Sequence, residues 1–406
     1  MTHRPVPASR AGPADGVAAG RPGLPDRPLI STPRRLWQRG FLDAERERVA
    51  GQPGLGLAGT LLVLPVAVFL GVGAGGLEPS LRVLGPLSTF GLPVVAMIAF
   101  WWEDWPGSRL RPGWSGLLNT ALVVAGAVLL TFAGQMVVGR LDLRGVFDPT
   151  PGAGDAPTFP ATMPLAAGFF VVMLQLTLVS EGWPLRRLGR LASGPAALVI
   201  SAGIAVGLYV LVVRFHPAPC SGLRPRSGPL SGGELGALLV VVGVWQVLFF
   251  VAMRGWPFAE VASRALRLVT ANLLVVGAGV LTFAVLRGVL GWSASAVSAA
   301  GGSVVAAVLL QAMLFEGWPR SDDRPDLERL TTLGVVTILA GLLYCGLTAV
   351  ARNAYWTIDT PDEWVAYAGL NAIGAAVILH VAIGGRWPFI PGACGETHVR
   401  ESSRQG

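Results

Sequence analysis

The sequence contains no lysine, so its 31 basic residues are all arginine. Charged residues occupy only 14% of the 406 positions, about half of the roughly 25% that is usual in soluble domains. This shortage of charge excludes an ordinary soluble domain and favours a membrane protein. The absence of lysine is typical of a GC-rich bacterial source.

Motifs for common cofactors and for nucleic acids are also missing. Three cysteines and four histidines do not form a zinc or haem pattern, which needs several ligands at matched positions. The sequence has no GxxxxGK phosphate loop, no HExxH zinc motif and no GxSxG nucleophile elbow. No basic segment interleaves aromatic residues as nucleic-acid surfaces do. We therefore expect no cofactor and no nucleic-acid partner.

Long apolar runs are what the sequence does contain, since 52% of its residues are hydrophobic. Ten runs each supply the roughly 20 residues that cross about 30 Å of hydrocarbon as a helix. The runs are continuously apolar and do not alternate every second residue, which favours helices over a barrel. We predict an all-α, polytopic helical membrane protein with spans at 55–77, 83–102, 115–139, 161–180, 193–213, 235–253, 267–287, 294–315, 330–351 and 364–385.

The charge distribution predicts the orientation of this domain, which we place at 55–390 between a disordered basic tail, 1–54, and a short tail, 391–406. Ten spans put both tails on one side of the membrane. That side carries nineteen arginines near the spans and the opposite loops carry eight, so the positive-inside rule places both termini in the cytoplasm. We expect a bacterial cytoplasmic membrane, with the lipid bilayer as the main partner.

Five spans end in a similar way, at EDWP (103–106), EGWP (181–184), RGWP (254–257), EGWP (316–319) and GRWP (385–388). Each interval holds one outward and one returning helix, which indicates parallel two-helix repeats. Gly ends a helix without a Cβ penalty, Trp anchors at the headgroups, and Pro stops the helix from continuing. Spans two to five also resemble spans six to nine, which predicts two four-helix halves with spans one and ten as additions.

Charged residues recur just before the tryptophan of each ending. The residues are Glu103, Glu181, Arg254, Glu316 and Arg386. Carboxylates at this boundary face a negative surface potential, which is costly unless they pair or line a wet vestibule. One interpretation is that the five converge at a cytoplasmic mouth. The other is local pairing with following arginines, for example Glu181 with Arg186.

Few polar residues lie within the spans, among them Gln135, Gln175, Gln246, Asn272, Gln311, Asn371 and His380. Four of them are the candidates for an intramembrane site: Gln175, Gln246, Gln311 and His380. Such residues can bond across helices, at roughly 1 kcal/mol each. They can also line a substrate path. No Asp, Glu or Arg lies mid-membrane, so His380 is the candidate for any proton coupling.

One loop carries a sequence pattern that is typical of metal binding. Asp322, Asp323 and Asp326 read DDxxD, which resembles the aspartate-rich motif of prenyl-transfer and terpene-cyclising enzymes. The resemblance covers five residues and implies a Mg²⁺ ion that holds a diphosphate. The alternative is a solvated loop in which neighbouring arginines neutralise the carboxylates.

These features leave three functional classes open. We favour a transporter or permease for a small, largely neutral or apolar molecule, because many spans and parallel repeats suit a central path. An intramembrane enzyme acting on a lipid or prenyl diphosphate would use the aspartate-rich loop. A non-catalytic scaffold, with a membrane partner or a second copy of the chain, is the third class.

The repeat makes a prediction about topology. Reporter proteins fused after each of the five Trp-Pro endings should all be active on the cytoplasmic side, because each hairpin returns to the side from which it started. Two endings on opposite faces would contradict the parallel repeat.

Overall fold

The computed structural model describes residues 49–150, 152, 154–217, 223–319 and 324–389. Within these ranges, nine helices are long and apolar enough to cross a membrane, and a tenth apolar helix, α4, is shorter. The ten are α1 Gly54–Val72, α2 Leu77–Trp101, α3 Gly113–Val138, α4 Met163–Val179, α5 Arg190–Val212, α6 Gly232–Ala252, α7 Arg264–Val289, α8 Ala294–Leu314, α9 Asp326–Arg352 and α10 Pro361–Ile383. They support the prediction of an all-α, polytopic membrane protein.

Of the predicted boundaries, the end of the first span and the start of the second differ most from the structure. The turn between α1 and α2 is made by Gly75 and Gly76, with φ of 102° and 133°, so α1 ends before residue 77 and α2 begins before residue 83. Glycine reaches such φ values without the clash that a Cβ would cause. As a result, Glu78 and Arg82 belong to the first turns of α2.

The loops opposite the Trp-Pro endings carry a short helix and three short strands. A short helix, Leu143–Phe147, follows α3. After α5, strand β1 Val213–Phe215 lies between β2 Arg226–Ser227, which is antiparallel to it, and β3 Leu230–Ser231, which is parallel to it.

The five even-numbered helices form an inner ring. Contacts run from α2 to α4, then to α6, α8 and α10, and from α10 back to α2. Between α8 and α10 the backbones approach closely, because a Cβ added to Gly369 would lie 3.0 Å from the carbonyl carbon of Gly302. The ring is closed by α10 and α2, where the Asn371 amide donates to the Thr89 hydroxyl at 3.0 Å.

The odd-numbered helices lie outside this ring. Each of α3, α5, α7 and α9 packs on the inner helix that precedes it in the chain, and α1 packs on α10. Between 17% and 33% of the residues in the most apolar windows of the outer helices are buried, against 56% to 67% for α2, α6, α8 and α10. Their exposed leucines and valines suit a lipid environment, where apolar side chains need no further cover.

The first helix of the chain, α1, packs against the outer side of the last inner helix, α10. Trp364 of α10 donates its indole N–H to the Gly71 carbonyl at 3.0 Å, and the Tyr367 hydroxyl donates to the Leu70 carbonyl at 2.5 Å. Spans one and ten were expected to be additions to two four-helix halves. The contacts differ from that expectation, since α10 is a member of the inner ring and α1 is its outer neighbour.

All five inner helices end in the same backbone arrangement, which we call a corner. Corners 1 to 5 comprise residues 97–106, 175–184, 248–257, 310–319 and 379–388. Positions are counted back from the tryptophan of each corner. The N–H three positions before it donates to the carbonyl eight positions before it, and the N–H one position before it donates to the carbonyl seven positions before it. The carbonyl three positions before accepts the tryptophan N–H, and all these bonds span 2.6 to 3.1 Å. The first bond closes a π-helical turn, and the Trp–Pro peptide that follows is cis in every corner.

Left-handed backbone explains the residues chosen at these corners. The two positions before each tryptophan have φ between 50° and 86°. Glycine occupies one of the two in corners 2 to 5, as Gly182, Gly255, Gly317 and Gly385, which confirms the conformational role expected for it. Corner 1 has Asp at the second position, a residue type that tolerates this region.

The corner geometry predicts the effect of adding a methyl group. Gly182→Ala should lower the unfolding free energy by roughly 1–2 kcal/mol, because φ is +71° and the new Cβ would lie 2.6 Å from the Arg186 Nε. Gly203→Ala is the matched control, since a Cβ there meets nothing within 4 Å. Thermal unfolding of the detergent-solubilised protein measures both, and equal midpoints would contradict the assignment.

Candidate functional site

The charged residues before the tryptophans connect each corner to the next hairpin. Glu181 accepts hydrogen bonds from Arg264 Nε at 3.1 Å and Arg267 Nε at 3.0 Å, both at the start of α7. Glu103 lies 3.9 Å from Arg190 at the start of α5. In these two corners the charged residue therefore pairs with an arginine at the start of the outer helix that follows the next corner.

Corner 3 carries the opposite charge and has the opposite partner. Arg254 stands where three other corners have glutamate, and its guanidinium lies 3.4 Å from the Glu328 carboxylate at the start of α9. The sequence analysis did not identify Glu328. The only signal was the change of charge at Arg254, which requires an acidic partner but does not indicate which residue it is.

Corner 4 holds the most buried of the ion pairs at the corners. Arg386 Nη2 donates to Glu316 Oε1 at 2.6 Å, and these side chains are only 8% and 18% exposed. Arg386 also donates to the Met313 and Leu314 carbonyls at the end of α8. These carbonyls belong to the last residues of a helix, where intrahelical donors run out. Arg386 thus joins corner 5 to corner 4.

Corner 1 has two features of its own. Arg190, at the start of α5, donates to the Trp102 and Glu103 carbonyls at 2.7 Å and 3.0 Å. It thereby supplies hydrogen-bond donors for carbonyls that follow the end of α2. Asp104 has a buried Oδ1 with no hydrogen-bond partner. Burial raises the pKa of the Asp104 carboxyl to about 7, although Arg190 opposes the shift and Glu103 adds to it. This carboxyl was not identified from the sequence.

A small cavity lies between corners 3 and 4. Its volume is about 60 Å³, and its polar lining consists of Arg254, Gln311, Glu316, Glu328 and Thr332. Gln311 is 2% exposed, and neither its Nε2 nor its Oε1 has a hydrogen-bond partner. Three of the charged or amide residues singled out in the sequence are thereby brought together with two that were not.

Gln175 and Gln246, the other two glutamines among the candidate residues, bond across helices. Gln246 of α6 donates from Nε2 to Gln175 Oε1 of α4 at 2.6 Å and to the Val171 carbonyl at 3.0 Å. Gln175 in turn donates to Asn272 of α7 at 2.9 Å. These bonds tie α4, α6 and α7 together, as polar groups commonly do between membrane helices.

His380 lies at the contact of α10 with α1. The ring is half-buried, and a Cβ added to Gly59 of α1 would be 3.0 Å from His380 Nε2. The Phe389 ring lies edge-on at 6.1 Å between centroids. The histidine therefore lies at the contact between α10 and α1, and it does not line the cavity between corners 3 and 4.

The aspartate-rich loop falls partly outside the described residues, because Asp322 and Asp323 are not among them. The Asp326 side chain is 93% exposed and binds Arg329 at 2.9 Å. In the parts of the chain that the structure describes, no group of three His, Cys, Asp or Glu side chains is placed to hold a metal ion. The Mg²⁺ site and its diphosphate therefore stay a prediction.

The loops at the far end of the bundle are held by a second charged cluster. Glu78 is 8% exposed and accepts the backbone N–H groups of Thr357, Ile358 and Asp359 at 2.9 to 3.2 Å. Arg82 connects Glu78 at 2.9 Å with Asp359 at 2.6 Å. The start of α2 and the loop before α10 are thereby fixed together.

Comparisons with known proteins assign no family to the chain. No protein-family model matches it, and neither a curated protein nor a solved structure does. The architecture is that of a multi-pass helical membrane protein, and its function has to be argued from the site alone.

The buried Glu316–Arg386 pair and the half-exposed Glu103–Arg190 pair should respond differently to mutation. Glu316→Gln should lower the unfolding free energy by on the order of 3 kcal/mol, because it removes the carboxylate charge that lies 2.6 Å from the buried Arg386 guanidinium. Glu103→Gln, in a half-exposed pair at 3.9 Å, should cost less than about 1 kcal/mol. Chemical unfolding in detergent measures both. Equal losses would contradict a special role for the buried pair.

Proposed function

We propose that the protein is a transporter or permease for a small neutral molecule, with its binding site in the cavity between corners 3 and 4. The observation that carries this proposal is Gln311, whose two amide groups are buried in the lining of that cavity without partners. Buried polar groups without partners cost about 1–3 kcal/mol each.

The inner helices support a transport role through their arrangement. All five run towards the corner end, and they are held there by contacts between successive hairpins. A ring of similar hairpins around one axis is what parallel repeats produce, and transporters commonly bind substrates at the interfaces between repeats. We propose that the five hairpins are such repeats, with the corner end in the cytoplasm of a bacterial cell.

A scaffold is the second candidate, because the ring is closely packed in places. The approach of Gly369 to Gly302 leaves no space for even a methyl group between α8 and α10. A purely structural protein needs nothing more than such packing. It gives no reason, however, for an unsatisfied glutamine beside a cavity.

Proteoliposome permeability tests the transport proposal. Stopped-flow light scattering should show at least one small neutral solute crossing faster than in protein-free vesicles. Gln311→Met, which keeps the size of the side chain, should slow that solute by about tenfold, the loss expected for about 1.4 kcal/mol of hydrogen bonding.

The control is Gln135→Met, which replaces a buried glutamine that bonds to Ala156 and Thr158 at the far end of α3. Its permeability should match that of the original protein. If neutral solutes and ions all cross at the lipid rate, the scaffold is favoured and the transport proposal fails.

A further inference from the structure

Corner 1 differs from the other four corners because it has no glycine at either of the two positions before tryptophan. Asp104 stands directly before Trp105 with φ of 61°, in the left-handed region. Corners 2, 3 and 4 have glycine at the same position. Aspartate tolerates this region, but at a cost in backbone strain that glycine avoids, and such strain is typical of functional positions.

Corner 5 also has a side chain directly before tryptophan, and its contacts account for it. Arg386, with φ of 62°, donates to the last carbonyls of α8 and pairs with the Glu316 carboxylate. Asp104 is different, since its Oδ1 is buried and has no hydrogen-bond partner. An ionised carboxylate is destabilised there, because burial removes its hydration and no donor replaces the lost water. Packing alone therefore does not explain this aspartate.

The surroundings of the Asp104 carboxyl favour its neutral form. Burial has the largest effect and raises its pKa to about 7, while Arg190 opposes the shift and Glu103 adds to it. The Asn119 amide donates to the Asp104 main-chain carbonyl at 3.1 Å, and Arg109 lies over the neighbouring indole ring at 5.9 Å. The carboxyl should thus bind and release a proton near neutral pH.

Arg190 connects this carboxyl to an outer helix. It lies at the start of α5 and donates to the Trp102 and Glu103 carbonyls. Its contact with the Glu103 carboxylate, at 3.9 Å and half-exposed, is weak. The Trp102 indole N–H adds a bond to the Leu191 carbonyl at 3.2 Å. Loss of the proton from Asp104 adds a negative charge that attracts Arg190 and competes with these carbonyls.

We propose that Asp104 is a proton-binding site that controls how firmly corner 1 holds the start of α5. With the proton bound, the carboxyl is neutral and Arg190 bonds to the carbonyls of corner 1. Without the proton, the carboxylate competes for the Arg190 guanidinium and the contact with α5 weakens. This role does not depend on the cavity between corners 3 and 4 or on a transported solute.

Thermal unfolding of the detergent-solubilised full-length protein tests the proton site. The pKa of the carboxyl is about 7 in the folded protein and 3.8 ordinarily, so the folded state binds the proton more tightly. The stability from this group is therefore fully present below pH 3.8 and is lost as the pH rises to about 7. Asp104→Asn is the comparison, because asparagine has a similar shape, stays neutral and tolerates positive φ.

Between about pH 5.5 and about pH 8.5, the unfolding midpoint of the original protein should fall relative to that of Asp104→Asn. The comparison at each pH cancels the titration of other groups. A difference between the two midpoints that is the same at both pH values would overturn the proton site.

Amide hydrogen exchange at residues 190–194 measures the contact with α5 itself. The original protein and Asp104→Asn should exchange alike at about pH 5.5, and the original protein should exchange severalfold faster at about pH 8.5. Residues 264–268, at the start of α7, are the control, since the corner that they contact has Gly182 in place of the aspartate. A ratio at residues 190–194 that does not change with pH would overturn the control of α5.

Variants of the two charged neighbours test the electrostatics. The infrared band of the protonated carboxyl, identified by its absence from Asp104→Asn, reports the titration directly. Arg190→Gln should move the titration to higher pH, because it removes the positive charge that favours the ionised form, and Glu103→Gln should move it to lower pH. Shifts in opposite directions support the proposal. Shifts in one direction, or none, would overturn it.

Discussion

Helices that end inside a bundle leave carbonyl groups without donors, and water is scarce there to replace them. This constraint governs the whole structure. Each inner helix meets it with a π-helical turn and two left-handed residues, which turn N–H groups back onto the last carbonyls. Side chains of the next hairpin satisfy further groups, as Arg190 and Arg386 do. The end of one hairpin is therefore completed by its neighbour.

A chain of such dependences produces a closed ring. Corner 1 uses Arg190 from the start of α5, and corner 4 uses Arg386 from corner 5. The last inner helix, α10, has no following hairpin, and the first helix of the chain takes the outer position beside it. Tyr367 and Trp364 fix this contact by donating to α1 carbonyls. The first and last of the ten helices are thus joined directly to each other.

Polar groups within the ring fall into two kinds. Gln175, Gln246 and Asn272 bond to one another, so they hold three helices in a fixed arrangement. Gln311 is equally buried but has no partner, and it lies beside a cavity with paired charges on its walls. Buried Gln246 stabilises the bundle through its hydrogen bond to Gln175, whereas buried Gln311 leaves an amide without a hydrogen-bond partner. That difference is the basis for the function proposed here.

Hydropathy and local backbone preference determined the spans, the positions of the corners and the membrane class, because each depends on about 20 consecutive residues or fewer. The glycines at the corners were explained in the same way. The sequence could not show that Glu328 pairs with Arg254, that α1 packs on α10, or that Gln311 lacks a partner while Gln246 has one. These features depend on which side chains distant hairpins bring together, and only packing of the whole ring decides that.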